Sequence, residues 1–172
     1  MHFAYEPELW QGLFEMVALA AVTLTGLLSV ALSINVRHIV DTPSHLARGR
    51  EALIALTVLL TVAIFVLIPT QGRVALGIEL VVLSIVVLAI GLRLQARTLS
   101  LLPAAQRRHW RVRLLGLNGA TVAITIAGVG LITERFGGLL WLVPAILIGL
   151  VWSTYNAWNL TIAAAEKHRD PL

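Results

Sequence analysis

Five apolar runs, at residues 10–35, 52–68, 74–92, 114–133 and 139–165, dominate this chain and leave it few ways to fold. Within them stand only two charged residues, Glu15 and Glu79. A hydrocarbon layer of about 30 Å is crossed by about 20 apolar residues in a helix, and all five runs meet that need with modest tilt. In water the same runs would expose large apolar patches. The 13% of charged residues is far below the roughly 25% of soluble domains, and the mean hydropathy of +0.87 agrees. The sequence therefore predicts an all-α fold: a polytopic transmembrane helical bundle of five spans, in a single domain over residues 1–172.

Loop charge predicts the orientation. Arg73 and Arg135 are the only Lys or Arg on one side of a five-span chain, whereas eleven lie on the other: Arg37, Arg48, Arg50, Arg93, Arg97, Arg107, Arg108, Arg111, Arg113, Lys167 and Arg169. Basic residues stay in the cytoplasm, so the N-terminus is expected outside and the C-terminus inside. The segment Met1-His2-Phe3-Ala4-Tyr5-Glu6 lacks the basic start of a cleavable signal, so the first run is expected to remain as a span. Pro69 suits a helix end, and Thr42-Pro43 suits a cap followed by the first helical position. Leu67-Ile68-Pro69-Thr70 and Leu131-Ile132-Thr133-Glu134 each precede a Gly-containing turn, a faint parallel repeat of two hairpins.

Several chemistries are excluded by what the spans lack. There is no cysteine, so thiolate metal sites and thiol nucleophiles are absent. His2, His38, His45, His109 and His168 all fall outside the runs, so no histidine pair holds haem in the bilayer and none serves Ser29 or Ser33 as a base. Asp41 and Asp170 also lie outside, and there is no phosphate-binding loop. No enzyme, metal or cofactor is expected. The net charge of +4 is explained by topology, and no nucleic-acid partner is expected.

What remains is packing and a few polar groups. Ala145, Gly149, Ser153 and Ala157 recur every fourth residue, and helices in lipid associate by such close approach. The seam fits either Gly116, Gly119, Ala120, Ala123, Ala127 and Gly128 of the fourth span or a second copy or partner protein. Glu15 and Glu79 share a depth, about 7–9 Å below the outer ends of their helices. Each must be neutral, paired or open to water. They form either an outward cation or proton site, or separate anchors bonded to a neighbouring helix, Arg73 or Arg135. Val22, Gly26, Ser29 and Ser33 follow Glu15 on one face of the first span. Asn35, Asn118, Asn156 and Asn159 lie towards the cytoplasmic half, where amides join helices. Arg107, Arg108, Arg111 and Arg113 surround Trp110, a cluster that fixes orientation and suits anionic headgroups of the lipid bilayer.

The stretch Leu24-Thr25-Gly26-Leu27-Leu28-Ser29-Val30-Ala31-Leu32-Ser33-Ile34-Asn35 resembles the first span of small uncharacterised bacterial integral membrane proteins, and Ala75-Leu76-Gly77-Ile78-Glu79-Leu80 extends the likeness. The resemblance implies a bacterial cytoplasmic membrane and no particular mechanism. The residues themselves favour a structural, accessory or regulatory membrane component acting through helix packing. The competing expectation is a channel or carrier for protons, cations or a small solute, using Glu15 and Glu79.

Overall fold

A computed structural model describes residues 7–34, 43–101, 110–135 and 137–166. Among these the chain is helical, with no strand: α1 (Pro7–Ile34), α2 (Pro43–Leu67), α3 (Arg73–Leu101), α4 (Trp110–Thr133), a 3-10 turn (Gly138–Trp141) and α5 (Leu142–Glu166). Proline opens α1 and α2, where its missing N–H costs no hydrogen bond. Pro144 likewise falls in the first turn of α5. Among the described residues four segments are long and apolar enough to cross a membrane: Glu8–Ser33, Leu46–Leu67, Arg73–Arg97 and Gly138–Leu160. The apolar part of α4, Asn118–Thr133, is shorter, although α4 as a whole has 24 residues.

The helices run beyond the apolar stretches. α2 takes in Arg48, Arg50 and Glu51, and α3 continues through Arg93 and Arg97. The fifth stretch differs from a continuous helix, because Gly138–Trp141 forms a 3-10 turn that leads into α5. Gly137 enters that turn with φ 78°, a conformation closed to most side chains.

Helices α2, α3, α4 and α5 form a ring in which each packs on two others: α2 on α3 and α5, and α4 on α3 and α5. α1 lies outside it, against α2 and more lightly α5. Two hairpins related by an axis along the bundle would give this ring. Their turns agree, since Thr70 (φ 59°) and Glu134 (φ 58°) are both left-handed at matching places in the two four-residue stretches. A left-handed β-branched residue is an outlier, so the α2–α3 turn holds Thr70 against its preference.

One apolar cluster joins all five helices through Phe14, Val62, Leu80, Ile124 and Ile146. Small residues decide which helices come closest. A Cβ on Gly77 of α3 would lie 2.8 Å from the Gly128 carbonyl oxygen of α4, and one on Gly128 would lie 2.8 Å from that of Gly77. These backbones touch. Gly116 gives the Trp152 indole its place between α4 and α5, and Gly149 faces Leu59 of α2. The span-five seam is thus used inside the chain: Ala145, Gly149 and Ser153 are buried and Ala157 is half-buried. The small residues of the fourth and fifth spans do not simply face each other, because Gly149 turns to α2 and Gly128 to α3.

Candidate functional site

At 3.6 residues per turn, successive side chains step about 100° around a helix. In α1 the apolar Phe14, Val17, Ala21 and Leu28 share the face that packs on the ring, and all four are buried. Gly12, Glu15, Leu19, Val22, Gly26, Ser29 and Ser33 fall within an arc of about 100° on the opposite face. Every one of them is exposed. Gly12 and Gly26 would place a Cβ in open space. The polar stripe of the first span therefore points away from the rest of the bundle, because apolar residues led by Phe14 claim the inner face.

Glu15 is bonded within its own helix, its Oε1 accepting from Gln11 Nε2 at 2.8 Å. Glu79 is half-buried, and its Oε2 accepts from Gln71 Nε2 at 2.6 Å across the start of α3. Among the described residues neither pairs with an arginine. The Arg73 guanidinium instead donates to the Leu131 carbonyl oxygen (2.6 Å) and to Glu134 Oε1 (2.5 Å), tying the outer ends of α3 and α4 together. Glu15 and Glu79 do not share a neighbourhood, because α1 packs on α2 and α5 and has no substantial contact with α3.

The other polar residues divide into bridges and self-satisfied groups. Asn118 is a bridge: its Nδ2 donates to Gln95 Oε1 of α3 at 3.3 Å. Thr125 Oγ1 donates to Ser84 Oγ at 2.9 Å between the same two helices. Asn156, Asn159 and Ser33 instead return to carbonyls of their own helices, at Trp152, Tyr155 and Val30. In an apolar solvent a donor one turn after a free carbonyl lone pair satisfies itself without a second helix. Ser29 is exposed, and none of the described helices covers it. Asn35, Arg107 and Arg108 lie outside the described residues, while Arg111 and Arg113 are placed only as part of the α4 backbone.

Four buried polar residues, Glu51, Ser84, Gln95 and Thr121, were not among the sequence candidates. Gln95 is 2% exposed and continues the buried face Leu80, Ser84, Val87 and Gly91, a period that points to it once α3 is known to pass Leu92. Glu51 is also 2% exposed, although it stands before the apolar run, where a charge reads as a boundary. The outward stripe of α1 sets Glu15, Ser29 and Ser33 along one exposed side of an apolar helix, a surface suited to recognition. Comparison with family profiles, curated proteins and solved structures gives no match.

Proposed function

We propose that this chain is a small integral protein of the bacterial cytoplasmic membrane with five spans, an outer N-terminus and a cytoplasmic C-terminus. It works without catalysis, as a structural, accessory or regulatory component, and α1 is the helix through which it meets a partner. α4 supports the fifth span: it packs between α3 and α5, and its 24 residues extend about 36 Å at 1.5 Å each.

The outward stripe of α1 carries the reading. Only 17% of the apolar window of α1 is buried, against 50% for that of α2. Glu15 sits about 8 Å from the middle of α1, within the hydrocarbon half-thickness of about 15 Å. An acidic side chain facing lipid there costs a few kcal/mol. A partner helix removes that cost by supplying donors to Glu15, and Gly12, Gly26, Ser29 and Ser33 let its backbone come close. The α5 seam is occupied by α2, so association with a second copy or another membrane protein uses α1. Transport through Glu15 and Glu79 has less support, since the two carboxylates stand on helices that do not pack.

The natural absence of cysteine makes the test clean. Gly26→Cys should cross-link to a second chain in native membranes at native expression, while Ile85→Cys on the exposed face of α3 should not. A Gly26→Cys protein that stays strictly monomeric and partnerless would remove the proposal.

A further inference from the structure

The face that α3 turns to α4 is polar as well as narrow. Gly77, Ser84, Gly91 and Gln95 fall within an arc of about 40° at 100° per residue, and Asn118, Thr121, Thr125 and Gly128 share one side of α4. Three contacts join the two faces in order along the helices. Gly77 and Gly128 touch through their backbones, Thr125 Oγ1 donates to Ser84 Oγ at 2.9 Å, and Asn118 Nδ2 donates to Gln95 Oε1 at 3.3 Å. The last of these is longer than the usual range of about 2.7–3.2 Å.

The amide pair is half made. Two primary amides that face each other squarely close two hydrogen bonds, yet Gln95 Nε2 and Asn118 Oδ1 are both buried with no hydrogen-bond partner. The Gln95 side chain as a whole is 2% exposed. One orphan is a donor and the other an acceptor, and each is joined through a single carbon to an atom of the existing bond. Turning both amides over leaves one donor and one acceptor again, so the mismatch does not depend on their orientation. Drawing the helices together cannot close the second bond. Gly77 and Gly128 already touch, and straight helices that cross spread apart from their point of contact. Gly91, buried one turn before Gln95 on the same face, adds no side chain to fill the space.

We infer that one water molecule resides between α3 and α4, accepting from Gln95 Nε2 and donating to Asn118 Oδ1. Water is the smallest molecule with both capacities, and a buried water is held by about two to four such partners. It removes the desolvation cost that each bare atom otherwise carries in an apolar surrounding. The α3–α4 contact is then dry where the glycines touch and hydrated at the end remote from Arg73. This holds whatever α1 meets.

Nuclear magnetic resonance reads the contact directly. The full chain, isotope-labelled and deuterated, is placed in micelles in ordinary water, and through-space transfer from water to the Gln95 side-chain amide protons is recorded in the laboratory and rotating frames. Gln95→Leu assigns the signal by deleting it. A resident water gives transfer of opposite sign in the two frames, whereas proton exchange gives the same sign in both. Thr121→Val removes the buried hydroxyl nearest Asn118 on its face, which could relay the transfer, and the signal should survive. Asn118→Leu removes the acceptor, and the signal should vanish while the Gln95 amide resonance persists. No transfer in the unaltered chain, transfer with the sign of exchange, loss in Thr121→Val or retention in Asn118→Leu would each overturn the inference. The unaltered chain carries the first two outcomes, so the decision does not depend on either variant folding.

Discussion

Gly77→Ala adds one methyl group where α3 and α4 touch. Its Cβ would lie 2.7 Å from Ile132 Cγ1, 2.8 Å from the Gly128 carbonyl oxygen and 3.3 Å from the Ile132 amide nitrogen. The isoleucine can rotate away, but the carbonyl and the amide belong to the α4 backbone. Reaching ordinary contact at about 3.4 Å requires the helices to separate by roughly 0.6 Å, which loosens the Thr125–Ser84 hydrogen bond along the same interface. Overpacking of this kind costs about 1–3 kcal/mol, and the better helix propensity of alanine returns up to about 1 kcal/mol. The net expectation is a loss of about 1–2 kcal/mol, read from unfolding in mixed micelles followed by circular dichroism. Gly12→Ala is the matched control, since its Cβ meets nothing within 4 Å. That variant should be as stable as the parent or slightly more so. If Gly77→Ala unfolds with the parent, the α3–α4 backbone contact is not where the structure puts it.

Arg73→Ala should cost more than Glu134→Ala, by about 1–2 kcal/mol in the same unfolding assay. The exposed pair contributes at most about 1 kcal/mol, whereas Arg73 also satisfies the part-buried Leu131 carbonyl. A double-mutant cycle of Gln95→Leu and Asn118→Leu should give a coupling of about 0.6–2 kcal/mol, and an uncoupled pair would mean the two amides do not meet. For topology, a reporter active only outside the cell should work when fused before Trp10 or within residues 69–73 and stay silent after Leu172. Activity at the C-terminus would contradict the five-span orientation.

The helices themselves were legible because length and hydropathy alone specify them, and Thr42-Pro43 marked the start of α2 well before its apolar run. The facing of α1 was not. In a membrane the side turned to lipid is as apolar as the side turned to the bundle, so Phe14 and Leu19 look alike in sequence although one is buried and the other 70% exposed. Small residues announced close approach without naming the partner: Gly128 meets Gly77, and Gly149 meets Leu59. For Glu15 and Glu79, adjacency depends on the order of helices around the bundle. Nothing in the spacing of α1 and α3 encodes that order. Charge misled at Glu51, because a carboxylate before an apolar run marks a helix leaving the membrane as readily as one entering a packed end.

Lipid contact along α1 separates a covered stripe from a bare one. Spin labels placed singly by Ser29→Cys and Ile85→Cys, in discs cut from native membranes, report oxygen collision rates at two sites that are both exposed in the isolated chain. Low oxygen accessibility at Ser29 beside lipid-like accessibility at Ile85 is the predicted result. Equal, lipid-like accessibility at both sites contradicts the claim that α1 meets a partner.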